Sequence, residues 1–297
     1  MTRNFELGAV IPMLPTPFRD NLSLDERCLE QLVERVSGEY PTIALLGFGA
    51  ECLQLDNTER RRVLGIARAS SPATTRIIVG CTAATAAEGM LLARDADQSG
   101  ADVIMIAPPL DIVTRATAAE FIEQCAQSLH SASLMVQDAP LWSGASLGSE
   151  VIAGLKSKFP HTVRYAKPEQ LPFGNDVHAL TDIEDLAVYT GLGGTSFLDG
   201  LALGAAGVIP FIESSRMLSS IATEYPGDGA IQAYQSLLPL LTFQMQTLGH
   251  AIYTSKLILG WIGFDLSPAT RIPIEPPCTA AVDLLRHHAK TAGILVS

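Results

Sequence analysis

Eight short, apolar, β-rich runs recur along this chain: Ala9–Leu14, Thr42–Gly47, Arg76–Gly80, Asp102–Ala107, Ser133–Gln137, Thr162–Lys167, Leu186–Gly191 and Ala206–Phe211. Successive runs are separated by roughly 20 to 35 residues, the length of a strand–helix unit. The gaps carry helical patterns. Leu24–Gly38 repeats apolar residues at Leu24, Cys28, Leu29, Leu32, Val33 and Val36, and Asn57 or Thr58 is read as the cap of a helix through Arg68. Thr85–Ser99, Thr117–Leu129, Leu147–Lys158 and Phe197–Leu203 follow in the same manner. Strands alternating with helices indicate a parallel sheet, because parallel neighbours need a long crossover. Eight such units predict an α/β fold closed into a (β/α)8 TIM barrel. An open, doubly wound sheet is the rival, but no GxGxxG follows the first strand.

The alternation stops near residue 223. Residues 1–223 are therefore assigned to the barrel and 224–297 to a C-terminal helical extension packed on it. Gly227–Gly260 reads as one long helix with its apolar stripe in the core, Ile272–Pro277 as a Pro-rich loop and Ala280–Ala292 as a last helix. With 297 residues, 47% of them hydrophobic, the chain can bury one large core.

The formal net charge is −11 and no Lys/Arg cluster occurs, which disfavours a nucleic-acid partner. The five cysteines are scattered without CxxC or metal-ligand spacing, so a reduced, cytoplasmic setting and no metal are expected. Met1–Glu6 has no apolar core of a signal peptide, and no apolar run is long enough to span a membrane. The six histidines end no predicted strand and lack i,i+4 spacing, which disfavours a histidine metal site or a Ser-His-Asp triad.

In a barrel the chemistry sits at the C-terminal ends of the strands. Lys167 ends the sixth predicted strand and is followed by Pro168 and Glu169. A half-dry amine there can attack a ketone, although a solvated strand-end lysine is the plainer reading. That chemistry needs the amine free. A nitrogen locked in an ion pair, or aimed at bulk water away from any cavity, would overturn the enzymatic account. The second strand ends Gly47-Phe48-Gly49-Ala50-Glu51, where backbone N–H groups can cradle a carboxylate; a tight turn with Glu51 near the next helix is the alternative. The fifth ends Gln137-Asp138-Ala139-Pro140. Gln137 should point inward, toward a ligand or loop backbone, while Asp138 should face the other way and bond locally. Trp142 and Ser143 follow in the same loop, and Gly191-Leu192-Gly193-Gly194-Thr195 forms a further backbone cradle or plain turn.

In this order, these pieces resemble the dihydrodipicolinate synthase / N-acetylneuraminate lyase superfamily. Pro15-Thr16-Pro17-Phe18, the Gly47–Glu51 turn with Thr58-Glu59-Arg60, Gly100-Ala101-Asp102, Ala107-Pro108-Pro109 and Leu203–Gly207 fall where that superfamily has its motifs. Lys167 falls on its Schiff-base lysine. The departures are as specific: the two threonines of the family's turn are Phe48 and Gly49, its strand-five tyrosine is Gln137, the second tyrosine of its Pro-Tyr-Tyr is Leu110, and its substrate-holding arginine lies where Trp142 sits. A Tyr–Thr–Tyr proton relay cannot operate, which argues against dihydrodipicolinate synthase activity proper. Met135–Pro140 and the Lys-x-Glu at Lys167–Glu169 look more like the branch containing 2-keto-3-deoxy-L-arabonate dehydratase.

The resemblance implies a class I lyase with no cofactor beyond a covalent Lys167 imine. Gln137, Glu51 and Glu169 are the remaining catalytic candidates. Gly47, Phe48, Gly49, Ala50, Asp138, Trp142, Ser143, Gly193 and Gly194 are the substrate-binding ones. Its partner is a small 2-keto acid, pyruvate or a 2-keto-3-deoxy sugar acid, and the implied assembly is a homo-oligomer, tetramer or dimer. Dehydration is the first expectation. A pyruvate-dependent aldolase on the same scaffold is the second, and a degenerate, non-catalytic small-acid binder the third.

Overall fold

The computed structural model describes residues 6–295; Met1–Phe5, most of the stretch read above for a signal peptide, lie outside it. Seven parallel strands run in sequential order: β1 (Thr42–Leu45), β2 (Arg76–Gly80), β3 (Val103–Ile106), β4 (Ser133–Asp138), β5 (Val163–Pro168), β6 (Ala187–Thr190) and β7 (Gly207–Val208). The first expected strand, Ala9–Leu14, closes the ring through single bridges. Ile11 N donates to Val208 O at 3.0 Å and Met13 N to Pro210 O at 2.9 Å on one side. On the other, Leu14 N donates to Ala44 O at 2.9 Å and Ala44 N to Pro12 O at 2.9 Å. Pro12 has no N–H to give, which limits this segment to bridges. The fold is thus a closed α/β barrel of the expected class.

β1, β3 and β6 are buried at every residue, as expected of a parallel sheet covered on both faces. One core, including Met13, Ile78, Met105, Met135, Tyr165 and Tyr189, fills the barrel; a larger one lies between sheet and helices. The outer helices are α1 (Glu26–Ser37), α2 (Asn57–Ser70), α3 (Ala86–Gln98), α4 (Arg115–Ser128), α5 (Gly148–Lys158), α6 (Asn175–Thr181), α7 (Phe197–Ala202) and α8 (Ile212–Glu224). The cap of α2 is Asp56, not Asn57 or Thr58: its carboxylate accepts from Glu59 N, and Glu59 accepts from Asp56 N, a reciprocal capping box.

The long helix expected over Gly227–Gly260 is two helices, α9 (Asp228–Gln244) and α10 (Leu248–Trp261). Thr247 breaks the run by capping α10, accepting from His250 N at 3.1 Å. The final helix is α11 (Thr279–Thr291). Among the described residues no helix is long and apolar enough to cross a membrane.

Candidate active site

The face on which Lys167 emerges is set by an irregularity one turn below it. β5 pairs with β4 as Leu134↔Val163 and then Met135↔Tyr165, so Arg164 is an extra residue in the ladder. Val163 packs in the outer core, whereas Tyr165 packs inside the barrel. From Tyr165 onward the two-residue period therefore directs Tyr165, Lys167 and Glu169 inward together. The register pairs Gln137 with Lys167, and Gln137 shares the inward phase of Met135. Three polar side chains meet at the barrel mouth for these two reasons.

Lys167 Nζ lies 2.5 Å from Glu169 Oε2, with the two side chains 6% and 2% exposed. Gln137 Nε2 donates to the same oxygen at 2.6 Å. Leu192 N donates to Glu169 Oε1 at 3.0 Å. The amine is therefore ion-paired, contrary to the expectation of a free one. The partner carboxylate itself lines the cleft beside the amine. Gly191 makes room for this cluster: a Cβ at that position would stand 1.9 Å from Glu169 Oε1 and 2.5 Å from Lys167 Nζ.

About 440 Å³ of atom-free space, part of it open to solvent, lies in the cleft. Phe48 and Gly49 after β1, Leu192 and Gly193 after β6, and Ile209–Phe211 after β7 form its rim; Met13 and Met105 rise from below. Trp142 lines it beside Phe48, the ring centroids 6.1 Å apart. Phe48 and Gly49 open a 3-10 turn over Phe48–Ala50, so their N–H groups make no bond inside it. Two further lining residues, Met245 and Leu248, come from the junction between α9 and α10. The sequence reading missed them by running a single helix through that junction; the signal was Thr247, a capping residue inside the apolar run. It also missed the role of Gly191.

Several expected site residues lie elsewhere. Glu51 is fully buried and faces the extension: Lys256 Nζ donates to its Oε1 at 2.7 Å, and Arg271 N and Ile272 N donate to its Oε2 at 2.6 and 3.2 Å. It anchors the Phe48–Ala50 turn and does not line the cleft, because the partner that claims it comes from 205 residues further along the chain. Asp138 points out of the barrel, as alternation requires, and accepts from Leu147 N at 3.1 Å and Gly148 N at 2.7 Å at the start of α5. Burial raises its carboxyl above the ordinary range, against those hydrogen bonds. It anchors the start of α5 and does not line the cleft. Ser143 Oγ donates to Ala139 O at 3.0 Å within its own loop. Ala50 belongs to the barrel interior, Gly47 lies against Met13, and Gly194 packs toward Leu218 and Leu241, while Thr195 Oγ1 donates to Leu192 O at 2.9 Å. Of the two glycine cradles, Gly49 and Gly193 reach the cleft.

A family model described as the Dihydrodipicolinate synthetase family matches residues 6–291. An uncharacterized DapA-like lyase of Rhizobium meliloti is 26% identical, over 98% of this chain and 97% of its own. A probable 5-dehydro-4-deoxyglucarate dehydratase of Methylobacterium radiotolerans is 25% identical, over 92% of this chain and 90% of its own. Among solved structures, the dihydrodipicolinate synthase of Rhodopseudomonas palustris superposes with a TM-score of 0.86 at 23% identity, covering 96% of this chain and 97% of that one. That last likeness is one of fold.

Proposed function

Because this chain belongs to the dihydrodipicolinate synthetase family, we propose that it is a lyase that binds a 4-hydroxy-2-oxo acid as an imine on Lys167 and removes water across C3–C4. The observation that carries the proposal is the buried Lys167–Glu169–Gln137 cluster at the C-terminal end of β4 and β5. A probable dehydratase stands among the relatives, in keeping with elimination.

Glu169 takes a proton from the Lys167 ammonium. The neutral amine adds to the C2 carbonyl, and the carbonyl oxygen, taking one proton from nitrogen and the other back from Glu169, leaves as water to give a protonated imine. The imine withdraws electrons from C3, and Glu169 removes the C3 proton; the C3–H pair moves into an enamine. The enamine then expels the C4 hydroxyl, which takes the proton from Glu169 and departs as water. Water hydrolyses the conjugated imine and regenerates the Lys167 amine. Glu169 accepts and returns a proton twice, first from the ammonium and then from C3, and hydrolysis restores the Lys167 ammonium, so both residues are unchanged over the cycle. Gln137 holds the Glu169 carboxylate; an amide is no general base. The Phe48 and Gly49 N–H groups are the candidates for the C1 carboxylate. Retro-aldol cleavage starts from the same imine and differs only in which bond to C4 or its hydroxyl proton is broken.

Borohydride reduction in the presence of pyruvate tests the imine. A reduced adduct is expected on the peptide containing Lys167 and absent in Lys167→Ala. An unmodified Lys167 in the parent protein rejects the proposal. Glu169→Gln should form adduct at least tenfold more slowly, since a positioned acid–base group contributes about 10²–10⁴-fold.

A further inference from the structure

The cleft is divided by polarity. Gln137, Lys167 and Glu169 occupy the end at the strand tips, and every other lining side chain is apolar or absent except for the Trp142 indole N–H. Phe48, Trp142, Met105, Met245 and Leu248 line the same cleft. Phe48 is 6% exposed and its ring is tilted by 51° against that of Trp142, the arrangement of a packed aromatic corner. Met245 rests on the backbone of Gly193, where an added Cβ would be 2.8 Å from its Cγ. The methionines are unbranched and polarisable, suited to conform to an aromatic ring.

A 2-keto acid held on Lys167 spends the polar groups on C1 to C4: the amine on C2, Glu169 on C3 and the C4 hydroxyl. Whatever lies beyond C4 meets the apolar wall. Each hydroxyl on that part of a sugar acid would lose water with at most one indole N–H to replace it, at a penalty of about tenfold in binding apiece. A ring there gains from burial and from edge contacts with Phe48 and Trp142.

Resting on the imine reading above, we infer that the natural substrate is a 4-hydroxy-2-oxo acid whose C4 bears an aromatic or branched-alkyl group, and that Phe48, Trp142, Met245 and Leu248 select it. This narrows the expectation from sequence, which left a polyhydroxylated sugar acid as first choice.

The test compares kcat/KM for 4-hydroxy-2-oxo-4-phenylbutanoate and for 2-keto-3-deoxy-arabonate on the full chain, alongside borohydride trapping with pyruvate. The phenyl compound should be preferred by at least 100-fold, and Trp142→Gln and Leu248→Gln should each narrow that ratio tenfold or more. If the adduct forms on Lys167 but the sugar acid is handled as well or better, or neither compound is turned over, the substrate class is wrong and the imine stands. A ratio that neither substitution moves also overturns the assignment of the wall. If pyruvate leaves no adduct on Lys167, the underlying reading fails instead.

Discussion

Gly191→Ala should disable the site through one methyl group. The backbone at Gly191 has φ −129°, outside the left-handed region, so the effect is steric. The new Cβ would fall 1.9 Å from Glu169 Oε1, 2.4 Å from its Cδ and 2.5 Å from Lys167 Nζ. Ordinary contact is about 3.5 Å, so the carboxylate has to withdraw by roughly 1.5 Å. That shift breaks the bond from Leu192 N to Oε1 and pulls Oε2 from Gln137 and Lys167. Overpacking costs about 1–3 kcal/mol, and a lost hydrogen bond to a charged group a similar amount. Since one displacement relieves the first at the expense of the second, about 3 kcal/mol is expected in all. For a chain of 297 residues, an unfolding entropy near 2.1 cal/mol/K per residue turns this into a Tm lower by about 5 °C. A 1 Å misplacement of a reacting group lowers rates about 10²-fold, so adduct formation with pyruvate should slow by that factor. The assays are quenched-flow borohydride trapping read by mass spectrometry and a thermal melt. A variant that traps pyruvate within twofold of the parent rate, with Tm unchanged to within a degree, refutes the role given to the Glu169 position.

Lys256→Met strands the Glu51 carboxylate with two backbone donors at a fully buried site. Breaking a buried pair costs about 3–5 kcal/mol, and adding Glu51→Gln should recover most of it; chemical denaturation of the single and double variants checks this, and a loss below about 1 kcal/mol for the single variant would remove the anchor role. Glu213 is buried and receives hydrogen bonds from Ser255 Oγ at 2.6 Å and Gln244 Nε2 at 2.7 Å. Burial raises its carboxyl above the ordinary value despite those bonds. Between the unfolded carboxyl's pKa, about 4.3, and that raised value, the folded protein binds more protons than the unfolded one, so stability falls as pH rises through this window. Glu213→Gln should flatten that decline when denaturation midpoints are compared from about pH 4 to about pH 8; parallel curves would show that Glu213 does not titrate differently in the fold.

Much of the architecture was legible because its cause is periodic. Eight apolar runs at intervals of roughly 20 to 35 residues leave a parallel barrel as the arrangement that buries them all, and Lys167 stands one residue before the end of β5, which takes in the Pro168 expected to break it. Boundaries were less legible where a cap competes with a neighbour of the same type, as Asp56 does with Asn57 and Thr58. The α9–α10 break was hidden because apolar spacing continues through Thr247. Glu51 and Asp138 looked like site residues because they stand in strand-end motifs; alternation and distant partners draw both away from the cleft.

The sequence by itself determined which residues could do the chemistry: a lysine, a glutamate two positions on, and a glutamine at the end of the preceding strand, in a chain bound to close on itself. Tertiary structure alone decided that they meet. One extra residue at Arg164 reverses the phase of β5 and turns Lys167 and Glu169 inward. The ladder sets Gln137 beside them. The extension, held to the Phe48–Ala50 turn by the Glu51–Lys256 pair, delivers Met245 and Leu248 to the mouth. Local period can be read along the chain. Register, and contacts across 205 residues, exist only once the barrel has closed.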